Sequence, residues 1–433
     1  METKVIKPIR TFNEFSLSLP SSKSLTQRAF ICASLAEGPS EIKNPLLSED
    51  PLLLKEALLK TGVSFREKGG TIFEIKGVGS KPKLTKEKVY LGNNGTGARF
   101  FLAYSTLGTG DWIELYGKPR LHERPMAPLI EALRKLGAHI ECLEREGYFP
   151  IKVSASSLHS GQITLPGYVS SQFVSALLLI GCYLPEGLEI SIEGELFSKS
   201  YVEMTCEVME KFGVTVENNK STFYVKPQRF KAINYEVPAD ASSASYFLAI
   251  PLVLHQGKVI IENFDYRSKQ ADIAFLDFIQ KMGATVRPIY PWGIEITFEG
   301  RPKAGSFNLK DCPDLFPTMA ILGAVSEGKT VLYGAPHLRH KETDRIKAVA
   351  TEISKLGVKV EELPDGLIIY GQDNFHPAKI ETYDDHRIAM AFAILGLKAG
   401  PLEIENPSCV SKSFPTFWEL LERLYEKDTS HRV

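Results

Sequence analysis

The sequence predicts an α/β protein of two domains, each built from three βαβαββ-like units. Three observations lead to this prediction: an apolar helix type recurs six times, an amphipathic helix type alternates with it, and the last copy lacks the strands that would complete it. Hydrophobic residues make up 43% of the 433-residue chain, which is enough for two sizeable cores.

The first helix type is apolar on all sides and is followed by a turn of small residues and a strand. Its six copies are "RAFICASLAEGPSEIKN", "RFFLAYSTLGTGDWIELYG", "FVSALLLIGCYLPEGLEISI", "SYFLAIPLVLHQGKVIIEN", "TMAILGAVSEGKTVLYG" and "IAMAFAILGLKAGPLEIEN". A helix without a polar face is buried, and Ala, Gly and Ser allow helices to approach closely. We therefore expect these helices at the centre of each domain.

The second helix type has a charged face and ends at a glycine, after which a hairpin follows. Two examples are "MAPLIEALRKLGAHIECLEREGYFPIKVS" and "RIKAVATEISKLGVKVEELPDGLIIYG". Such helices should pack against a sheet on one side and meet water on the other. The terminating glycines recur every 70 to 76 residues, at Gly62, Gly137, Gly213, Gly283 and Gly357.

The sixth amphipathic helix, "FWELLERLY", has no hairpin behind it. We expect "KVIKPI" and "EFSLSLP" near the N-terminus to supply the missing strands. This predicts a discontinuous domain of residues 1–20 and 240–433 and a second domain of residues 21–239, three units in each. The hinge crossings lie near residues 19–22 and 236–241, and each contains a proline, as a defined hinge segment does.

Charge and composition exclude several classes of protein. The 51 basic and 52 acidic residues nearly balance, so the chain lacks the overall positive field that non-specific binding to nucleic acid or anionic membranes needs. The N-terminus lacks the apolar core of a secretory signal, and no apolar run is long enough to span a bilayer, which predicts a cytoplasmic chain with no membrane partner. The six cysteines show no CxxC pair, so neither a disulfide framework nor a zinc site is expected, and all six should be buried.

The starts of the apolar helices are polar: "SSKS", "NNGTGAR", "SSQF", "ADASS", "PDLFP" and "DDHR". Ordinary helix capping accounts for Ser, Asp and Asn at these positions, and for "ADASS" it suffices. Capping does not account for Lys23, Arg99 and Arg387, because the positive end of a helix dipole disfavours a nearby cation. A bound anion at these helix starts would explain them.

The stretch "HLRHKETDRI", residues 337–346, contains seven ionisable side chains. It is either a solvated helix face or part of an anion site. If the helix starts of the two domains face each other, Arg28, Arg124, Lys341, Arg345 and Lys412 would add to a basic cleft, although each alone could be a surface charge.

Asp314 and Glu342 are the carboxylates of this basic region and are candidates for proton transfer, because neighbouring cations keep them ionised. The structural alternatives are a helix cap for Asp314 and an ion pair with Arg345 or Lys341 for Glu342.

Taken together, "KETDRI", "GNNGTGAR", "SSQFVSALL", "DASSASYFLA", "DDHRIAMAFA" and "SKSFP" resemble the EPSP synthase (3-phosphoshikimate 1-carboxyvinyltransferase) family from about Leu19 to Leu421. The resemblance implies an inside-out α/β barrel of two domains, that is, an α/β prism of six βαβαββ units. It also implies transfer of the enolpyruvyl group of phosphoenolpyruvate to the 5-hydroxyl of shikimate 3-phosphate, on the route to chorismate and the aromatic amino acids. No metal or organic cofactor is implied, and we expect a monomer.

The resemblance also implies the residues of the site. Phosphoenolpyruvate is expected to contact Lys23, Gly95, Arg124, Gln172, Arg345, Arg387 and Lys412. Shikimate 3-phosphate is expected to contact Lys23, Ser24, Arg28, Ser170, Ser171, Gln172, Ser198, Tyr201, Asp314, His337 and Lys341. Asp314 would accept the proton of the attacking hydroxyl, and Lys23 and Glu342 would transfer protons at the phosphoenolpyruvate methylene. Glyphosate is expected to bind where Gly95 leaves room.

The chain departs from the family pattern at a few positions. The common "GNAGTAMR" is "GNNGTGAR" here, with Asn94, Gly97 and Ala98 at the changed positions, and His337 stands where the family often has Asn. Two other functions are considered. The first is UDP-N-acetylglucosamine enolpyruvyl transferase, whose family pattern has a reactive cysteine in one loop. The corresponding stretch here, "YGKPRLHERPMAP", contains no cysteine. A repeat-built anion-binding scaffold would need no acid and base.

Overall fold

The computed structural model describes residues 2–219 and 221–429 and divides into two compact units. Unit 1 contains the described residues of 1–20 and 239–433, and unit 2 those of 21–238. The chain therefore passes between the units after Pro20 and after Pro238. The sequence analysis placed the second boundary one residue later, after Ala239.

The helices of the described residues alternate between buried and half-exposed types along the chain. The α-helices are α1 (Lys23–Leu35), α2 (Glu49–Leu59), α3 (Gly95–Ser105), α4 (Pro119–Glu123), α5 (Ala127–Lys135), α6 (Ser171–Gly181), α7 (Lys199–Lys211), α8 (Ala241–Leu248), α9 (Ile250–Leu254), α10 (Ala274–Lys281), α11 (Phe316–Val325), α12 (Arg345–Lys355), α13 (His386–Ala399) and α14 (Phe417–Thr429). Short 3-10 turns are found at Ala271–Ile273, Pro313–Leu315, Pro336–His340 and Pro407–Lys412.

The strands are short, and most belong to sheets of three or four strands. They are β1 (Thr3–Ile6), β2 (Glu14–Leu17), β3 (Pro39–Lys43), β4 (Ser64–Glu67), β5 (Ile72–Lys76), β6 (Lys83–Leu84), β7 (Glu87–Tyr90), β8 (Thr109–Gly110), β9 (Trp112–Tyr116), β10 (His139–Cys142), β11 (Ile151–Ser154), β12 (Gly161–Pro166), β13 (Leu188–Glu193), β14 (Glu217–Asn219), β15 (Thr222–Val225), β16 (Asn234–Glu236), β17 (Gln256–Ile261), β18 (Thr285–Pro288), β19 (Ile294–Glu299), β20 (Ser306–Asn308), β21 (Lys329–Tyr333), β22 (Lys359–Leu363), β23 (Gly366–Tyr370), β24 (Ala378–Ile380) and β25 (Leu402–Glu405).

Unit 2 has three four-stranded sheets, with strand orders β16-β3-β5-β4, β10-β11-β9-β7 and β12-β13-β15-β14, and a two-stranded sheet of β6 and β8. Each four-stranded sheet combines one parallel pair with an antiparallel hairpin, as the pairs of β3 show: parallel to β16 and antiparallel to β5. The buried helices α1, α3 and α6 form the core with the inner sheet faces. The amphipathic helix α5 buries only one face.

Unit 1 has the same organisation, with sheets ordered β18-β19-β17-β2, β20-β21-β23-β22 and β1-β25-β24. Its buried helices are α8 with α9, α11 and α13, and every residue of α11 is buried. The burial predicted for the apolar helix type is thus confirmed in both units. The fourth copy is split into α8 and α9, because Pro251 at the second position of α9 cannot donate a backbone hydrogen bond to the preceding turn.

The N-terminal strands join unit 1 in two different sheets. β1 lies in "KVIKPI" and pairs antiparallel with β25, so it completes the last unit as predicted. β2 lies in "EFSLSLP" and pairs parallel with β17 instead. The expectation that both strands complete the last unit is therefore wrong for β2, which supplies the parallel edge of the next sheet.

The glycines that end the amphipathic helices have left-handed backbones, with φ between +82° and +108° at Gly62, Gly137, Gly213, Gly283 and Gly357. Glycine adopts this conformation without the steric cost that a Cβ brings, which is why it recurs at helix ends.

The cysteines are all free thiols. Cys32, Cys182, Cys312 and Cys409 are buried, but Cys142 and Cys206 are only half-buried, so the prediction of burial is wrong for those two. None of the helices in the described part of the chain combines the length and apolarity that crossing a membrane requires.

Candidate active site

Arg345 is the centre of a charged cluster in unit 1. It is the first residue of α12, its side chain is 1% exposed, and it binds three carboxylates. Nε donates to Asp385 Oδ2 at 2.9 Å, Nη1 to Asp314 Oδ1 at 3.1 Å and Nη2 to Glu342 Oε2 at 3.0 Å. Burial lowers the pKa of Arg345, but the three carboxylates outweigh burial and raise that pKa above its ordinary value. Arg345 is therefore a fixed cation.

Asp314 lies in the 3-10 turn Pro313–Leu315, just before α11, and its side chain does not cap that helix. Its Oδ2 accepts a hydrogen bond from Arg387 Nη2 at 2.7 Å, and its Oδ1 accepts the bond from Arg345. Burial opposes ionisation of this carboxyl, but Arg387, Lys341 and Arg345 outweigh burial, and the pKa of Asp314 lies well below its usual range. The capping alternative for Asp314 is wrong, and the group is ionised at neutral pH.

Glu342 is bound to two cations of unit 1. Its Oε1 lies 3.3 Å from Lys412 Nζ, and its Oε2 accepts the bond from Arg345. The Glu342 carboxylate is 11% exposed and the Lys412 side chain 6%. The ion pair with Arg345 considered in the sequence analysis is therefore present, and its burial sets it apart from an ordinary surface pair.

The stretch 337–346 is partly a solvated charged face and partly buried, so each of the two interpretations weighed for it applies to some of its residues. Arg339 is half-exposed, and its Nη1 donates to Asp344 Oδ2 and to Glu362 Oε1, both at 2.9 Å, as in a solvated charged face. Arg345 and His337 are buried. Burial and the neighbouring Lys341 charge lower the pKa of His337 to about 3, so this imidazole is neutral at physiological pH.

The start of α13 supplies Arg387 and an unpredicted acidic group. Asp385 is the N-cap: its Oδ1 accepts from the Arg387 backbone N–H at 2.9 Å, while its Oδ2 binds Arg345. The sequence analysis read "DDHR" only as a polar helix start and did not include Asp385. The signal was available, since one carboxylate has two oxygens and can cap a helix and bind an arginine at once.

Asp272 is a further acidic group that the sequence gave no reason to select. It is 3% exposed in the turn Ala271–Ile273, and its Oδ2 accepts a hydrogen bond from Ser242 Oγ at the start of α8. Burial raises the pKa of Asp272 to about 7, and the nearby charge of Asp314 adds to this rise.

Unit 2 contains a second cluster at the starts of its buried helices. Lys23 is the first residue of α1, and its Nζ donates to Asp50 Oδ2 at 3.1 Å. Lys23 is 9% exposed and Asp50 3%. Asp50 lies in the first turn of α2 and was not predicted, because an acidic residue there is unremarkable in sequence.

The segment 93–97, at the start of α3, contacts two further predicted residues. Arg124 Nη1 donates to the Asn93 carbonyl at 3.3 Å, and Gln172 Nε2 donates to Thr96 Oγ1 at 3.0 Å. The Arg124 guanidinium lies directly against Gly95, where an added Cβ would stand 2.3 Å from Nη2. Gly95, Arg124 and Gln172 are thus brought together.

The residues expected to hold shikimate 3-phosphate fall in three places. Lys23, Ser24, Arg28, Ser198 and Tyr201 lie in or beside α1 and α7, and Ser170, Ser171 and Gln172 lie at the start of α6. Asp314, His337 and Lys341 are in unit 1. Ser170 is the N-cap of α6, and its Oγ accepts from the Gln172 N–H at 3.3 Å.

Arg28, which is expected to contact shikimate 3-phosphate, also binds three groups of the protein. Its guanidinium is 1% exposed and donates to Thr205 Oγ1 at 2.8 Å, the Ser24 carbonyl at 2.9 Å and the Tyr201 carbonyl at 3.0 Å. Burial lowers its pKa to about 10, so it remains a cation at neutral pH.

Comparisons with a family model, with curated relatives and with solved structures all indicate the same family. Residues 14–421 match the family model described as EPSP synthase (3-phosphoshikimate 1-carboxyvinyltransferase). A protein of Sulfurovum sp. (strain NBC37-1), named 3-phosphoshikimate 1-carboxyvinyltransferase, is 40% identical over 432 residues, covering 98% of this chain and 99% of the relative. A protein of the same name from Methanothermobacter thermautotrophicus is 41% identical over 411 residues, covering 95% and 96%.

Among solved structures, EPSP synthase from Acinetobacter baumannii matches with a TM-score of 0.80 and 27% identity over 98% of both chains. This match confirms the predicted two-domain α/β fold class. The curated names do not favour the alternative with UDP-N-acetylglucosamine, in agreement with the absence of cysteine from residues 116–128. With both the family model and relatives near 40% identity spanning almost its whole length, the chain belongs to the EPSP synthase (3-phosphoshikimate 1-carboxyvinyltransferase) family.

Proposed function

We propose that the two clusters described above carry out the reaction of this enzyme, which transfers the enolpyruvyl group of phosphoenolpyruvate to the 5-hydroxyl of shikimate 3-phosphate and releases phosphate. The observation that best supports these roles is in unit 1, where Asp314 and Glu342 share the Arg345 guanidinium at 3.1 and 3.0 Å. Two partly buried carboxylates on one fixed cation provide both proton-accepting groups and an anion site.

We propose seven contacts for phosphoenolpyruvate. In unit 1, Arg345 and Arg387 are suited to its carboxylate, because a guanidinium can form two parallel hydrogen bonds to a carboxylate. Each terminal nitrogen of Arg345 carries two N–H groups, so binding Asp314 and Glu342 leaves one N–H on each for a substrate. The other contacts we propose are Lys412 in unit 1 and Lys23, Gly95, Arg124 and Gln172 in unit 2.

Shikimate 3-phosphate would be oriented by a larger polar set. We propose that Arg28 binds its carboxylate and that the serines and Lys341 bind its phosphate. Neutral His337 adds hydrogen bonding without charge. The full proposed set is Lys23, Ser24, Arg28, Ser170, Ser171, Gln172, Ser198, Tyr201, Asp314, His337 and Lys341.

The chemistry requires proton transfer in both directions. In the addition step the 5-hydroxyl oxygen bonds to C2 of phosphoenolpyruvate, its proton passes to Asp314, and the C3 methylene gains a proton to become a methyl group. In the elimination step the methyl loses a proton, the bond from C2 to the phosphate oxygen breaks, and phosphate leaves. We propose that Lys23 and Glu342 give and take the C3 proton.

The low pKa of Asp314 bears on how it acts as a base. Arg345 and Arg387 hold it ionised in this structure, and a carboxylate so stabilised accepts protons weakly. An anionic substrate that shares these two arginines would weaken their hold on Asp314 and raise its pKa. Substrate binding would thus increase the basicity of the group that must take the proton.

Deuterium exchange tests the proposed roles of the two carboxylates. In D2O with both substrates, the wild-type enzyme should place deuterium at C3, because the methylene passes through a methyl group. Asp314→Asn should block addition and therefore exchange, and Glu342→Gln should slow C3 exchange ~10²–10⁴-fold. Arg339→Ala, a change in the same stretch, is the control and should exchange normally. Exchange at the wild-type rate in either amide variant would remove that residue from proton transfer.

We also propose that the enzyme is a monomer in the cytoplasm. Light scattering on the purified protein and cell fractionation would test the two statements separately.

A further inference from the structure

Asn94 is a fully buried side chain that connects three helix starts of unit 2. It is the N-cap of α3, and its Oδ1 accepts from the Gly97 backbone N–H at 2.8 Å. Its Nδ2 donates to Gln27 Oε1 in α1 and to the Asp50 carbonyl in α2, both at 2.8 Å. The two N–H groups and one acceptor of a single amide thus join α1, α2 and α3.

Gly97 leaves the space that the Asn94 amide fills. A Cβ at position 97 would stand 2.3 Å from Asn94 Nδ2 and 2.8 Å from both Asn94 Cγ and Gln27 Oε1. Gly97 does not have a left-handed backbone, so glycine is required here for space and not for conformation. Asn94 and Gly97 are therefore a matched pair.

The segment that Asn94 fixes also contacts the proposed phosphoenolpyruvate residues of unit 2. Arg124 binds the Asn93 carbonyl and lies against Gly95, and Gln172 binds Thr96. On its other side Asn94 holds the backbone of Asp50, whose carboxylate binds Lys23. A shift of the Asn94 amide would therefore be transmitted to Lys23, Arg124 and Gln172 together.

We infer that Asn94, in the space left by Gly97, is a positioning residue for phosphoenolpyruvate: its amide sets the placement of segment 93–97 and of the Asp50–Lys23 pair. The inference rests on the proposed roles of Lys23, Gly95, Arg124 and Gln172. The Asn94 side chain is fully buried, so it acts through these residues and does not touch the substrate.

Asn94→Ser separates positioning from helix capping. A serine hydroxyl can still cap α3, but it cannot donate to both Gln27 and Asp50. We expect a melting temperature lowered by only a few degrees, because two buried acceptors lose their donor. The KM for phosphoenolpyruvate should rise roughly 10- to 100-fold, because small misplacements of binding groups are costly. The KM for shikimate 3-phosphate should change less than ~3-fold, since most of its proposed contacts lie elsewhere. A wild-type KM for phosphoenolpyruvate in this variant would show that Asn94 is only a cap.

Gly97→Ala tests the pairing. Its Cβ must displace the Asn94 amide, so the KM for phosphoenolpyruvate should rise at least as far as in Asn94→Ser. Adding Asn94→Ala removes the clash, and the double variant should bind phosphoenolpyruvate no worse than Asn94→Ala alone. If the two single effects simply add, the pair is not coupled and the inference fails. If Gly97→Ala does not fold, the KM of Asn94→Ser for phosphoenolpyruvate still decides whether Asn94 is a positioning residue.

Gly181→Ala is the matched control. It places a Cβ 2.6 Å from Val225 Cγ1 at the far end of a buried helix of the same unit, so it should lower stability while leaving both KM values unchanged. A raised KM for phosphoenolpyruvate in this control would attribute the effect to general destabilisation and overturn the inference. Wild-type phosphate release is measured first: its absence would refute the proposed function, whereas an active wild type with an unaffected Asn94→Ser refutes only the positioning role.

Discussion

Replacing Arg345 is the perturbation whose consequences the structure specifies most fully. The side chain is 1% exposed, and its partners Asp385, Asp314 and Glu342 are 0%, 16% and 11% exposed. Arg345→Ala would leave three largely buried carboxylates without their shared cation. Arg345→Lys would retain the charge, but an ammonium lacks the planar fork that reaches all three.

The expected loss of stability for Arg345→Ala is ~3–5 kcal/mol, the range for removing one partner of a buried ion pair. The loss should be larger at pH 8 than at pH 5. Arg345 is one of the three cations that lower the pKa of Asp314, so without it the folded-state pKa of this group rises, the folded variant binds more protons than the folded wild type, and the variant loses stability relative to the wild type as the pH increases. Substrate interaction should weaken by a further ~2–5 kcal/mol, and Arg345→Lys should recover only part of either loss.

Urea denaturation followed by tryptophan fluorescence would measure stability, since Trp292 and Trp418 lie in unit 1. Steady-state kinetics would measure the KM for phosphoenolpyruvate. Arg339→Ala is the control: its side chain is 27% exposed, and the surface pairs with Asp344 and Glu362 should contribute below ~1 kcal/mol. If Arg345→Ala behaved like Arg339→Ala in both measurements, the stretch 337–346 would be only a solvated face.

Four other substitutions have defined outcomes. Asp314→Asn and Glu342→Gln should each reduce kcat ~10²–10⁴-fold while shikimate 3-phosphate still binds in calorimetry; near-normal turnover would exclude the residue concerned. Gly95→Ala should displace the Arg124 guanidinium, which lies 2.3 Å from the new Cβ. The KM for phosphoenolpyruvate should rise ~10-fold or more with little loss of stability. An unchanged KM would mean that Arg124 does not bind this substrate there. Asp272→Asn should be stabilising at pH 8 relative to pH 5, by at most ~3 kcal/mol, because the raised pKa of about 7 makes ionisation of Asp272 cost stability as the pH rises to that value. Urea denaturation giving the same difference from wild type at both pH values would contradict this.

The helices were predictable because their signals are local. Apolar segments such as that of α11 have no polar face to expose, and glycines such as Gly357 end the amphipathic helices in a conformation that other residues avoid. The pairing of β2 with β17 was not predictable, since strand partners are chosen by tertiary contacts far apart in sequence.

In the site, too, residues with a local sequence signal were predictable and residues defined by tertiary contacts were not. Cations at helix starts, such as Lys23 and Arg387, were recognisable because a helix dipole disfavours them without an anion. Asp50, which binds Lys23, and Asp385, which binds Arg345, were missed, because an acidic residue in a first turn or at an N-cap has an ordinary local role. Nothing in the sequence indicated Asp272, which becomes notable only when folding buries it near Asp314.

The most direct measurement is phosphate release from phosphoenolpyruvate by the wild-type enzyme with three acceptors: shikimate 3-phosphate, UDP-N-acetylglucosamine and none. We expect release only with shikimate 3-phosphate, together with a product whose mass is that of shikimate 3-phosphate plus the enolpyruvyl group. Release with UDP-N-acetylglucosamine, or no release with shikimate 3-phosphate, would contradict the assignment of Asp314, Glu342 and Arg345 to this reaction.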